Sequence, residues 1–92
     1  MSLRPSSLQE ILVSRGDRYG EFASQAKISQ ELKCILFNSR EVEMEPDQLE
    51  ALDMIAHKLA RIVNGDPNYA DSWIDIAGYA QLVADRLNGR NS

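Results

Sequence analysis

Between Pro46 and Gly65, the residues Leu49, Leu52, Ile55, Ala56, Leu59, Ile62 and Val63 recur at helical spacing and line one face. A stripe this regular has to be covered by other elements, so it fixes the class of fold before any motif is considered. Pro46 suits a first helical turn, and Glu45, Asp47 and Glu50 complement the positive end of the helix. Asn64-Gly65 ends the segment, and Pro67 prevents it from resuming.

The other glycines and prolines also stand at joints (Pro5, Gly16, Gly20 and Gly89), and Gly78 is the exception. They divide the chain into four segments, at about 6–15, 20–38, 46–64 and 70–88, and each reads as a helix. Ser6 or Ser7 can cap the first, with Glu10 completing a capping box after Ser7 and Gly16 as the natural stop. In the second, Phe22, Ile28, Leu32, Ile35 and Leu36 share one arc without the alternation of a strand. In the fourth, Trp73, Ile76, Ala77, Ala80, Val83, Ala84 and Leu87 form the apolar face, with Asp66, Asn68 or Asp71 as the cap. The expectation is an all-α, four-helix bundle-like single domain over 1–92, completed by homo-oligomerisation. The segment Arg40–Glu45 is an acidic, exposed loop in this reading.

Fourteen acids against ten Lys and Arg leave a net charge of -4, which opposes broad binding to nucleic acid or to an anionic membrane. No apolar run is long enough to cross a bilayer, and the first residues lack the apolar stretch of a signal peptide. A single cysteine, Cys34, suits a reducing, cytoplasmic compartment. Gly-rich phosphate loops, paired cysteines and nucleophile elbows are absent from the sequence. His57, the only histidine, falls opposite the apolar stripe and reads as a solvated surface residue, and Cys34 reads as an ordinary thiol.

Polar groups at the margins of the apolar faces carry the functional candidates. Lys58 borders Ile62, and Arg61 points further out; Ser72, Asp75, Tyr79 and Arg86 run beside the apolar face of the fourth helix, with Asp71 just beyond. Glu21 and Gln25 share the arc of Leu32 and Leu36, so Glu21 needs a cation such as Lys58 or Arg61, or must reach solvent. One reading gathers Glu21, Lys58, Arg61, Asp71, Asp75 and Tyr79 in a polar cleft. There the cations meet phosphate oxygens, and Asp71 and Asp75, four residues apart, hold a divalent ion such as Mg²⁺. The other reading is structural: Lys58 or Arg61 pairs with Asp75 across a helix interface, with Tyr79 at its edge. Ile74, Gly78 and Leu82 lie off the apolar face of the fourth helix. A mid-helix glycine costs about 1 kcal/mol relative to alanine, so this side is expected to meet a second subunit closely.

Arg18-Tyr19-Gly20, Lys58-Leu59-Ala60-Arg61-Ile62 and Asp71-Ser72-Trp73-Ile74-Asp75-Ile76-Ala77-Gly78-Tyr79-Ala80 together resemble a family of small phage and prophage proteins. The likeness runs from about Leu8 to Leu87 and implies a bacterial host cytoplasm. More distantly, the layout looks like the MazG-like all-α nucleoside triphosphate pyrophosphatases, which implies a homo-oligomer, nucleotide phosphates and Mg²⁺ held by Glu-x-x-Glu and Glu-x-x-Asp. Asp75 matches the last acid of that pattern; Ser72 stands where a Glu belongs, and Lys58-x-x-Arg61 occupies the place of two acids. Two cations reverse the electrostatics of such a site, and Glu50-x-x-Asp53 faces outward. The resemblance therefore implies nucleotide-phosphate binding without the full metal site, and leaves open whether the protein is an enzyme. The alternative is a non-catalytic, homo-oligomeric interaction or accessory protein with a structural ion-pair network.

Overall fold

The computed structural model describes residues 5–89, with side chains described from Leu8 onward. It is all-α and bundle-like, with α1 (Pro5–Tyr19), α2 (Phe22–Ser39), α3 (Pro46–Asn64) and α4 (Ala70–Leu87). Helix α1 passes through Gly16 rather than stopping there, because Gly16 keeps helical geometry. The turn comes at Gly20, whose φ of +79° is open to glycine and whose N–H donates to the Gly16 carbonyl at 2.8 Å. Since α1 begins at Pro5, Ser6 and Ser7 lie inside its first turn, and their side chains fall outside the described set.

Helix α3 opens on a capping box: the Glu45 side chain accepts from the backbone N–H of Gln48, and Gln48 Oε1 accepts from the N–H of Glu45 at 2.8 Å. None of Asp66, Asn68 and Asp71 caps α4. Tyr69 is its N-cap, with no side-chain cap bond, while Asp66 Oδ1 accepts from the Asn68 N–H at 2.9 Å within the loop.

Helix α3 is the centre of the fold. Antiparallel α2 lies along the flank that carries Ala56 and Ala60, joined by Lys33–Asp53 (2.9 Å) and Gln25–His57 (3.3 Å). Antiparallel α4 lies along the flank of Ala51 and Ile62, joined by Lys58–Asp75 (3.2 Å) and Arg86–Asp47 (2.6 Å). The alanines at these positions let the helix axes approach closely. The helices α2 and α4 do not touch, so the stripe of α3 is packed at its two margins and open along its middle.

Among the described residues, the buried apolar ones are Ala51, Ala56, Ala60 and Ile62, and no large side chain is fully enclosed. Leu59, Val63, Trp73 and Leu87, expected to be core, remain 36%, 70%, 53% and 60% exposed. Antiparallel packing reverses the sense of rotation from one helix to the next. The row Ile28, Leu32 and Ile35, the middle of α3, and the row Trp73, Ala80 and Leu87 therefore come to the same side of a three-helix layer. A groove of about 380 Å³ runs along it between α3 and α4, floored by Leu52, Ile55, Ala80 and Val83.

Candidate functional site

A dense set of long-range interactions among the described residues lies at the elbow between α1 and α2, where it meets the end of α3. Asn64 Nδ2 donates to the carbonyls of Tyr19 (2.8 Å) and Glu21 (3.0 Å), and the Asp66 N–H donates to the Arg18 carbonyl at 2.6 Å. Backbones meet directly here: a Cβ on Gly20 would strike the Asn64 carbonyl, and one on Gly65 would strike the Arg18 carbonyl and Tyr19 backbone.

This close joint stacks four side chains. The Arg61 guanidinium lies 4.1 Å from the centre of the Tyr19 ring, and Arg18 lies 4.8 Å from that of Tyr69. The two rings meet edge to face, with centroids 6.1 Å apart. Beside them opens a cleft of about 380 Å³ lined by Leu12, Arg15, Tyr19, Phe22, Gln25 and Arg61, among others. The Arg61 Nε is buried without a hydrogen-bond partner. Among the described residues, Lys27, Lys33, Lys58 and Arg86 are each paired with a carboxylate. Arg15, Arg18, Arg40 and Arg61 have no such pair among the described residues, and all but Arg40 gather at this elbow. A cleft with unpaired guanidinium groups and apolar walls suits an anion carried on an apolar or planar body.

The polar residues singled out from sequence do not all meet. Lys58 and Asp75 come together, with the Lys58 side chain 12% exposed and that of Asp75 47%. Arg61 goes to Tyr19 instead. Asp71 accepts a hydrogen bond from the Tyr69 hydroxyl at 3.0 Å, which raises the Tyr69 pKa by stabilising the protonated phenol. Glu21 is the N-cap residue of α2, exposed, and accepts from Ser24 Oγ at 3.1 Å; neither Lys58 nor Arg61 pairs with it. Tyr79 is half-buried and borders a shallow surface depression with Ile74, Asp75, Gly78 and Leu82. A Cβ added to Gly78 would meet only open space, so no backbone of this chain approaches it. Among the described residues no three of His, Cys, Asp and Glu converge, and Asp75 is engaged by Lys58. The pair Asp71 and Asp75 therefore does not fit a resident Mg²⁺ ion.

His57 is not a solvated surface residue. Its Nδ1 lies 3.3 Å from Nε2 of the buried Gln25, and desolvation, assisted by Arg61, Lys33 and Lys58, holds its pKa below 6.5. Cys34 is exposed, with its Sγ 3.1 Å from Asn38 Nδ2. The elbow itself was only partly legible in sequence. Arg18-Tyr19-Gly20 stood out, but Asn64-Gly65 read merely as a helix stop, and nothing local linked Tyr69 to Tyr19.

A family described as a domain of unknown function (DUF6378) matches residues 6–87. No curated protein and no solved structure matches the chain. No described helix is long and apolar enough to cross a membrane.

Proposed function

Because the chain belongs to the DUF6378 family, a family without an assigned activity, its own side chains have to supply the functional reading. We propose that it binds a small phosphate-bearing ligand of the nucleotide class in the elbow cleft. The observation that carries this is the pairing pattern: among the described residues, four cations are matched with carboxylates, while Arg15 and Arg61 line a cleft unmatched. Arg61 is the principal phosphate contact, presented edge-on by its stack on Tyr19, and Arg15 is a second cation at the rim. Tyr19, Phe22 and Leu12 offer an apolar surface to the remainder of the ligand. The sequence likeness to phage proteins and to the all-α pyrophosphatases supports the nucleotide class and a bacterial cytoplasm. Lys58 and Asp75 serve as a structural tie between α3 and α4 in this reading, and binding needs no metal ion.

The closed Lys58–Asp75 pair also favours a second reading, a non-catalytic homo-oligomeric accessory protein whose ion pairs only fix helix register. Thermal unfolding with inorganic phosphate, pyrophosphate and a panel of nucleoside triphosphates separates the two. A ligand at a hundred times its dissociation constant stabilises a fold by about 2.7 kcal/mol. The expected result is a shift that Arg61→Gln abolishes and Lys58→Ala preserves. Absence of a shift with every compound overturns the ligand reading and leaves the accessory one.

A further inference from the structure

Among the described residues, nothing covers the flat side of the α2–α3–α4 layer. Ile35, Leu59, Val63, Trp73 and Leu87 stand on it at 64%, 36%, 70%, 53% and 60% exposure, beside the apolar groove between α3 and α4. A surface this large and continuous is foreign to a soluble protein that works alone. The whole molecule is also too open for its size. It exposes 6564 Å² at 10.3 kDa, roughly 1,200 Å² more than a folded monomer of that mass. Its radius of gyration is 16.0 Å, against about 12 Å for a compact chain of this length. Part of the excess belongs to α1, whose Leu8, Ile11, Leu12 and Val13 are 49–63% exposed. The excess as a whole, α1 included, is larger than the share of about 800 Å² that one partner hides in a standard stable interface.

We infer that a second copy of this chain covers the layer, face to face, to complete the bundle. A partner of the same kind is favoured by the relief of the surface. To one side of α3 runs the bulky row of Leu32 and Ile35, and to the other, between Trp73 and Leu87, the small row of Ala80 and Ala84. A two-fold axis in the plane of contact and parallel to α3 lays the bulky row of each copy over the small row of the other. Ridges thereby enter grooves twice in one isologous contact. The opposite side of the layer, where Gln30, Lys33, His57 and Arg61 lie, is polar and stays outside. So does the edge of α4 with Ile74, Gly78 and Leu82, which is therefore not the contact in this arrangement. Only with the second copy in place do Leu59 and its neighbours acquire the burial that their periodicity calls for. The inference holds whether or not the elbow binds a ligand.

Sedimentation equilibrium over a wide concentration range, with the emission of Trp73 followed on dilution, tests this directly. Trp73 is the single tryptophan and stands on the face in question. The expected mass is twice 10.3 kDa, with Trp73 emission moving to longer wavelength as the dimer dissociates. Leu59→Glu and Ala80→Glu shift the mass to the monomer at concentrations where the wild type is dimeric and far-UV circular dichroism shows helix retained. Ile74→Glu leaves the dimer intact. Should the glutamate variants unfold, the dilution experiment on the wild type decides alone. A monomer at every concentration overturns the inference. So does dissociation by Ile74→Glu but not by Leu59→Glu, or a Trp73 shift that appears only with lipid vesicles.

Discussion

Arg86 and Asp47 form a two-pronged ion pair between the last turn of α4 and the first turn of α3. Arg86 Nε lies 2.6 Å from one carboxylate oxygen, and Nη2 lies 2.8 Å from the other. Each charge also complements its own helix end, the acid at an N-terminus and the cation at a C-terminus. With Lys58–Asp75 further along, the pair sets the register of α4 on α3 over several turns. Planar, bidentate geometry is what separates this pair from an ordinary surface contact.

The Arg86 hydrogen bonds hold the Asp47 pKa below its ordinary 3.8. A lowered folded-state value means that the stabilisation is present above the unfolded pKa and is lost as pH falls through the folded one. Asp47→Asn therefore lowers the melting temperature slightly at neutral pH, and the difference from the wild type vanishes in strong acid. Arg86→Lys recovers only part of the effect because it loses the fork. Melting curves between pH 2 and 7 (roughly the range over which this linkage develops) check both.

Asn64→Ala removes both side-chain bonds that hold the elbow and costs about 1–2 kcal/mol, because the part-buried Tyr19 carbonyl loses this partner while the Glu21 carbonyl keeps the Gln25 N–H. Gly20→Ala costs more, because its positive φ and the Asn64 carbonyl both exclude a Cβ. Urea unfolding measures the two losses. If the elbow is the ligand site, both variants also weaken phosphate binding, whereas a variant in the α3–α4 groove does not.

His57 has a folded-state pKa below its ordinary 6.5, because burial and nearby cations disfavour the charged ring. Well above pH 6.5 the ring is neutral folded or unfolded and contributes no pH dependence. As pH falls below that value, the unfolded chain takes up the proton first and stability declines until the folded pKa is passed. NMR titration of the ring places its midpoint below 6.5. In His57→Gln, this contribution to the stability profile is missing.

Gly78 meets nothing within 4 Å when a Cβ is added, and it sits mid-helix with no positive φ. Gly78→Ala is thus expected to stabilise by about 0.4–1 kcal/mol through helix propensity and a less flexible unfolded chain. The sedimentation mass stays that of the wild type. Destabilisation together with loss of the oligomer would instead move the subunit contact to the face of Ile74 and Leu82.

The sequence by itself determined which four segments are helical and where they break, except that α1 runs on through Gly16 to Tyr19. Periodicity and Gly/Pro placement are local, and Pro46, the capping box of Glu45 and Gln48, and Asn64-Gly65 act within a turn or two of where they stand. It also determined which residues share a face, including the Leu49–Val63 stripe. Tertiary structure decided what lies against each part of that face. Because α2 and α4 take the two margins of α3 and never meet, Ala56, Ala60 and Ile62 are enclosed while Leu59 and Val63 are not. The same placement puts His57 against Gln25, joins Lys58 to Asp75, and brings Arg61 to Tyr19 from 42 residues away in the chain. A helical wheel specifies direction around one axis. The neighbour found in that direction depends on how the loops return the chain, and that is settled only when backbones meet as closely as Gly20 and Asn64 do.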